Sequence, residues 1–277
     1  MDYLSATKRL LETYGVHPKK RYGQNFMVDR TVLQSLVSYA DLTKKETVLE
    51  VGSGFGFLTR LLAEKCRKVV AFEVDPKLIS ALREQLKDLG NVELFEEDIL
   101  EASLPPFDKV VSTPPYSISS PLLFKLLEKT FKLAVLTFQQ EFAKRLAAPV
   151  GSKDYSRLTV AIYYKADVEL LDRVPRTAFL PPPDVDSTIV RLKPKKEPPF
   201  HVRNEAEFFE LLKTVFTQRN KKLRNAVILH LLKKEMPKIK ARELADSLTF
   251  HDKRVRDLAP EDFGALTNEI LEKTSIL

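Results

Sequence analysis

The stretch Thr47 to Gly56, TVLEVGSGFG, constrains this chain more than any other. It reads as a hydrophobic strand, then Gly52-Ser53-Gly54-Phe55-Gly56, then an amphipathic run from Phe57 to Lys65. A buried strand that ends in a glycine-rich turn and opens a helix is how an α/β sheet builds a nucleotide site. Glycine lets backbone approach the ligand, and the free N–H groups of the helix start face it. The spacing is G-x-G-x-G rather than the dinucleotide fingerprint G-x-G-x-x-G, and Glu73 follows Gly52 by 21 residues. An acidic residue at the end of the next apolar strand suits ribose hydroxyls. Taken alone, the glycines also fit a plain tight turn.

From Thr47 onward strand and helix alternate. Strands are expected near 47–52, 68–73, 91–95, 107–112 and 131–138, and helices near 56–65, 76–88, 119–129 and 140–147. Continuous apolar strands alternating with helices call for a parallel sheet covered on both faces. The runs RLTVAIYYK (157–165) and VELLDRV (168–174) read as further strands, and the prolines 181–183 lead into a last one at 185–192. Strands with no helix between them imply antiparallel edge strands. Lys193 to Phe200, KPKKEPPF, reads as a linker. Beyond it the period turns helical at 204–217, 219–234, 239–247 and 260–274, with Phe208, Leu211, Leu212, Val215 and Phe216 on one core-facing stripe. The fold class is therefore α/β, a mostly parallel sheet with antiparallel edge strands (residues 1–192), followed by a smaller all-α domain (193–277).

Ahead of the sheet, residues 3–13 suit a short helix. The basic loop GVHPKKRYGQNFMVD (15–29) keeps Gln24, Asn25, Phe26 and Met27 together, as a lid over a ligand would. Asp29 is placed to cap a helix running to about Tyr39. No apolar run approaches the roughly 20 residues of a membrane helix, and the N-terminal MDYLSATKRLLETYG lacks a signal-peptide core. The single cysteine, Cys66, leaves no internal disulfide and no cysteine metal cluster; it reads as a buried structural thiol. A cytoplasmic home is expected, with no metal.

Three polar positions fall at the carboxyl ends of successive strands: Glu73, Asp98 and Thr113. Ligands of an open doubly wound sheet lie outside those ends. Singly, Glu73 also reads as a helix N-terminal carboxylate ahead of Pro76, and Asp98 as a solvated turn residue. Together with the glycine loop they make one site, with Glu73 on a ribose and Asp98 on an adenine amino group. Thr113-Pro114-Pro115-Tyr116 directly follows the apolar strand FDKVV. It can be a simple proline turn. It can also aim a carbonyl into the site, since prolines remove N–H donors and fix the backbone. That carbonyl and the oxygen of Thr113 can accept both hydrogens of an exocyclic NH₂, steering its lone pair toward a sulfonium methyl. Tyr116 offers a ring for the base to stack on. Positioning and electrostatics then supply most of the acceleration.

These stretches resemble the S-adenosylmethionine-dependent ribosomal RNA adenine N6-dimethyltransferases of the KsgA type, relatives of the erythromycin-resistance methylases. The resemblance runs through Tyr22-Gly23-Gln24-Asn25-Phe26, LEVGSGFGFLT at 49–59, FEVDP at 72–76, EDIL at 97–100, TPPYSISSP at 113–121, FLPPPDVDS at 179–187 and FTQRNKKLRN at 216–225. It implies a Rossmann-like class I methyltransferase sheet. It also implies S-adenosyl-L-methionine as cofactor, held by Gln24, Asn25, Met27, Gly52, Gly54, Glu73, Asp98, Ile99 and Thr113. Thr113, Pro114, Pro115, Tyr116 and Phe179 would be catalytic, with Tyr116 and Phe179 flanking the target adenine. The implied substrate is two adjacent adenosines near the 3′ end of small-subunit ribosomal RNA, dimethylated at N6 during ribosome biogenesis. One position departs: the family has asparagine where this chain has Thr113, and leucine or isoleucine where it has Pro114. A ribosome-assembly or transcription factor that keeps the fold with weak or no catalysis, and a large-subunit methylase, are the alternatives.

Net charge is +7, and residues 186–277 carry 19 Lys+Arg against 14 Asp+Glu, most of that surplus. A basic excess gathered in one part is the footprint of polyanion binding, or of a solvated lysine-rich face. Lys19, Lys20 and Arg21 precede the lid, and Arg219, Lys221, Lys222 and Arg224 cluster at a helix start. Beside an adenine site they read as phosphate contacts on a small-subunit RNA partner. A target adenine has to leave its stack to enter such a pocket, so a loop or helix end is the expected substrate. A monomer is expected.

Overall fold

A computed structural model gives the structure of the chain and describes residues 2–19 and 22–275. The chain opens with α1 (Tyr3–Thr13), the two-residue strand β1 (Phe26–Met27) and α2 (Arg30–Tyr39). Asp29 caps α2 as expected, its Oδ1 accepting from Thr31 N at 2.8 Å and Val32 N at 3.2 Å. The alternation follows as β2 (Thr47–Val51), α3 (Phe57–Ala63), β3 (Lys68–Glu73), α4 (Pro76–Gln85), β4 (Val92–Glu96), β5 (Lys109–Ser112), α5 (Ser119–Leu127), β6 (Leu133–Gln139) and α6 (Gln140–Leu146). Next come α7 (Arg157–Lys165), β7 (Ala166–Val174), β8 (Phe179–Leu180) and β9 (Ser187–Pro194). The chain ends in α8 (Glu205–Val215), α9 (Leu223–Lys233), α10 (Lys238–Asp246) and α11 (Pro260–Ser275).

Two compact units emerge, one of residues up to Ala143 with Val168–Pro194, the other of Lys144–Asp167 with the chain from Lys195 on. The first contains a seven-stranded sheet of order β4-β3-β2-β5-β6-β9-β7. β2 through β6 pair in parallel, and β9 joins β6 antiparallel with Val190 opposite Leu136. Strand β2 is buried along its whole length, and Leu49 faces Val70 on one side and Val110 on the other. From β2 the chain builds outward first through β3 and β4, then in the opposite direction through β5 and β6. The order therefore reverses between β2 and β5, which is where an open α/β sheet leaves a crevice at its carboxyl ends. Cys66 is buried; its Sγ donates to Lys68 O at 3.3 Å, and burial pushes the thiol pKa to about 11.

Residues 157–165, expected as a strand, form α7 instead. Ser156 and Thr159 close a capping box at its start. Leu158 to Ile162 and Tyr164 are all buried, so no polar face reveals the helical period, and β-branched and aromatic residues imitate a buried strand. Helix α7 belongs to the second unit: Val160 and Tyr164 enter its core with Phe208, Leu211 and Leu212, and the Tyr164 and Phe208 rings lie 5.1 Å apart. The break expected after residue 192 thus lies close to one of three crossings, and 144–167 joins the helical unit. Nor is 193–200 a loose linker. Lys193 and Pro194 complete β9, and Phe200 packs so tightly on α11 that a Cβ at Gly264 would lie 2.4 Å from its ring.

Candidate active site

The loops after β2, β3, β4 and β5 meet at the reversal point and, with the segment around β1 and β8, enclose a cavity of about 180 Å³ within the first unit. The glycine loop adopts left-handed conformations at Gly52 (φ 72°) and Gly54 (φ 58°). A Cβ on Gly52 would come 3.0 Å from Pro115 Cδ, and one on Gly54 would come 3.2 Å from the Phe26 ring. Side chains here would push the loop against both neighbouring walls. Gly52 N donates to Phe72 O at 2.8 Å, which fixes the turn on β3.

Glu73, at the end of β3, is 6% exposed. Its Oε2 accepts from Gly54 N at 3.1 Å, and its Oε1 accepts from Val74 N at 2.9 Å and Asp75 N at 3.1 Å. Burial holds its pKa above the ordinary value while those amides pull the other way. One carboxylate thus shapes the glycine loop and borders the cavity. Asp75, fully buried, caps α4 through Lys77 N at 3.2 Å and accepts from Lys19 Nζ at 2.8 Å and Gln24 Nε2 at 3.0 Å. Burial opposes its charge, but Lys19, Gln24 and the Lys77 amide bring its pKa below the usual value. The 22–27 segment is anchored from its other end as well: β1 and β8 pair antiparallel, with Met27 opposite Phe179. Asp98 accepts from Leu100 N at 2.9 Å in the turn after β4, and buried Ile99 follows it into the wall.

After β5 the chain runs through Thr113 and the two prolines into a 3₁₀ turn at Tyr116–Ile118. The Thr113 hydroxyl is half-buried and has no hydrogen-bond partner among the described residues. Tyr116 Oη lies 2.6 Å from Ser187 Oγ, and the Tyr116 and Phe179 rings meet edge to face, 6.1 Å apart at 71°. Burial pushes the Tyr116 phenol to about 12, so it is neutral at physiological pH. Two further polar groups line the cavity. Glu50, 2% exposed, accepts from Thr59 Oγ1 at 2.6 Å, and burial raises its carboxyl to about 7. The Ser53 hydroxyl is shielded from solvent without a partner among the described residues.

Comparison with known proteins gives the family of the chain that carries this nucleotide-type loop and proline–tyrosine turn. The family model described as ribosomal RNA adenine dimethylase matches residues 15–266. The chain belongs to this family. It is 44% identical over 256 residues to a protein of Methanosarcina acetivorans named probable ribosomal RNA small subunit methyltransferase A, covering 92% of this chain and 94% of that one. It is 36% identical to the ribosomal RNA small subunit methyltransferase A of a Geobacillus species, covering 95% of each. Among solved structures, a dimethyladenosine transferase from Plasmodium falciparum superposes with a TM-score of 0.74 at 31% identity, covering 90% of this chain and 96% of that chain. The 23S rRNA methyltransferase ErmE follows with 0.66 at 30%, covering 89% and 99%. The sheet is therefore a Rossmann-like class I methyltransferase sheet, and the protein is a methyltransferase that uses S-adenosylmethionine.

The cavity collects Gln24, Asn25 and Met27 from the lid, Gly52 and Gly54 from the glycine loop, Glu73, Asp98 and Ile99 from the next two strand ends, and Thr113 to Tyr116 with Phe179 from the far side. Glu50 and Ser53 escaped sequence reasoning; the available signal was an acid two residues before Gly52 inside an otherwise apolar strand. The basic residues are placed less simply. Lys19 is paired with Asp75, and Lys20 and Arg21 lie outside the described residues. In the second unit Arg219 donates to Ser152 O at 2.9 Å and Lys153 O at 2.8 Å. Lys222 pairs with Asp252 at 2.6 Å and Arg224 with Asp246 at 3.6 Å, whereas Lys221 is exposed with no acidic partner among the described residues.

Proposed function

We propose that this protein dimethylates, at N6, two adjacent adenosines near the 3′ end of small-subunit ribosomal RNA during ribosome biogenesis. The observation that carries the reading is the meeting, in one cavity, of a nucleotide-type glycine loop and the Thr113–Tyr116 turn facing Phe179. The residues present fit S-adenosylmethionine. Backbone of Gly52 and Gly54, the buried and unpartnered Ser53 hydroxyl, two strand-end carboxylates and the apolar walls of Phe72, Val74 and Ile99 offer complementary groups to a charged tail, a ribose and a purine. When bound, the cofactor supplies an electrophilic methyl on a sulfonium.

The chain's own groups do the rest. Glu73 keeps one lone pair free, on Oε2, beside the three amide donors, and takes a ribose hydroxyl. Asp98 takes the cofactor's adenine amino group, while Gln24, Asn25 and Met27 cover it. The uncommitted Thr113 hydroxyl and the Pro114 carbonyl accept the target amine's hydrogens, and Tyr116 and Phe179 flank the base. Among the described residues neither Thr113 nor Tyr116 has an acidic or basic partner, so placement and electrostatics drive the reaction. The helical unit carries Arg219, Lys221, Lys222 and Arg224 and selects the RNA. Exposed ion pairs such as Lys222–Asp252 contribute little, because water and salt screen them, so phosphates can replace the carboxylates. The same reading makes the protein a cytoplasmic monomer acting on the immature small subunit.

A second reading, an assembly or transcription factor with weak catalysis, rests on Thr113, whose hydroxyl reaches less far than an asparagine amide. Transfer of labelled methyl to immature small subunits, followed by digestion to nucleosides, decides between them when Thr113→Asn is run beside the native chain. N6,N6-dimethyladenosine from the native protein is the expected result. Product from Thr113→Asn alone, with subunit binding intact in both, would refute it.

A further inference from the structure

We infer that Ser187 is a positioning residue for methyl transfer, holding the Tyr116 ring at the angle required by the target base. The inference rests on the proposed placement of that base against Tyr116. Tyr116 sits on a turn that is tied down mainly by its backbone: its carbonyl accepts from Ser119 Oγ at 2.9 Å, and the Pro115 carbonyl accepts from Ile118 N at 3.2 Å. Those bonds fix the Cα but leave the aromatic side chain free to turn. Its one polar tether among the described residues is the 2.6 Å contact between Oη and Ser187 Oγ.

The other end of that tether is rigid. Ser187 is fully buried as the first residue of β9, opposite Gln139 in β6, and the preceding residue is pinned as Asp186 O accepts from Gln140 N at 2.9 Å. A sheet strand therefore sets the direction of a ring carried by a loop. Ser187 does not border the cavity whereas Tyr116 does, so any effect of its hydroxyl on the reaction has to pass through the ring. Phe179 supplies the second restraint, edge-on to Tyr116 and held by the pairing of β8 with Met27. The contact has no proton-transfer role: among the described residues no carboxylate, imidazole or amine bonds either oxygen, and burial keeps the phenol neutral. What remains is orientation, and a misaligned wall costs rate more than affinity, because reaction demands a narrower geometry than binding.

The test uses the full chain, S-adenosylmethionine and immature small subunits, with single-turnover methyl transfer as the readout. Ser187→Ala and Tyr116→Phe each lower the transfer rate about tenfold or more, while cofactor and subunit affinity stay within about twofold. The double variant is no slower than either single one, because both remove the same contact. Ser187→Thr, which keeps the hydroxyl, restores part of the rate. Circular dichroism of each variant confirms the fold, and Tyr116→Phe serves on its own should Ser187→Ala misfold. A native rate in Ser187→Ala or in Tyr116→Phe, with Tyr116→Ala inactive, overturns the inference and leaves the placement of the base standing. A native rate in Tyr116→Ala overturns that placement and the inference with it. Additive losses in the double variant, or losses matched by weaker binding, overturn the positioning role.

Discussion

Glu50 is a carboxyl buried in the middle of a sheet, and its replacement by glutamine isolates what that burial costs. The side chain is 2% exposed, and against the desolvation of a full charge stand Thr59 Oγ1, donating at 2.6 Å, and the neighbouring Ser53 hydroxyl. Its pKa rises from 4.5 to about 7. At about 1.4 kcal/mol per pH unit this is a difference of about 3 kcal/mol between the protonated and ionised forms. The folded state binds the proton more tightly than the unfolded chain does. The contribution of Glu50 is therefore complete below 4.5 and is lost as pH rises through about 7. Between about pH 5 and about pH 8.5 the native protein should lose roughly 2–3 kcal/mol from this group. Glu50→Gln keeps an oxygen to accept from Thr59 and does not ionise, so the loss disappears. Urea unfolding followed by circular dichroism, without added cofactor, measures both proteins across that range. The variant should gain on the native chain steadily as pH rises. Parallel stability curves would refute the reasoning, since they would mean that the carboxylate is stabilised as well in the fold as in water.

Glu73→Ala removes a carboxylate that both holds Gly54 N and faces the cavity, so cofactor affinity by equilibrium dialysis should fall about tenfold or more, with RNA affinity within about twofold. Equal losses of both would remove Glu73 from a specific ribose role. In the helical unit, Lys221→Ala with Lys222→Ala should lower the slope of log K against log salt for small-subunit RNA by about one to two, measured by filter binding. Arg219 is left in place because its guanidinium carries two carbonyl bonds within its own unit. An unchanged slope would exclude that surface from the RNA contact.

The parallel sheet was legible because its central strands β2, β3, β5 and β6 are largely apolar and buried, and several element ends are marked by caps or glycines. Thr47–Val51 ends at Gly52, and Pro76 follows the capping Asp75 into α4. Boundaries came out within about two residues where such marks exist. The error at 157–165 has the opposite cause: Leu158 to Ile162 and Tyr164 are buried and the exposed interior position, Tyr163, is itself aromatic, so the hydrophobic pattern has no period to read. The same segment obscured the division of the chain, because a unit that takes Lys144–Asp167 from the middle of the sequence leaves no change of composition at its edges.

The cavity and the basic surface differ in legibility for a physical reason. The cavity is built from positions at strand ends, so the sheet itself brings Gly52, Glu73, Asp98 and Thr113 together once the order of alternation is known. Local sequence decides where each strand stops, and topology does the rest. Charge at the surface obeys no such rule. Lys19 and Arg219 look like free cations in a basic run, yet one is spent on Asp75, 56 residues away, and the other on carbonyls more than 60 residues away. Lys221, two residues beyond Arg219, faces solvent without an acidic partner among the described residues. Clustering in the sequence thus measures the charge supplied to a region, whereas the part left for phosphates depends on which distant oxygens the fold delivers. Within the 219–224 group the electrostatic share of RNA binding should concentrate on Lys221 and on exposed pairs that exchange readily, such as Lys222 with Asp252.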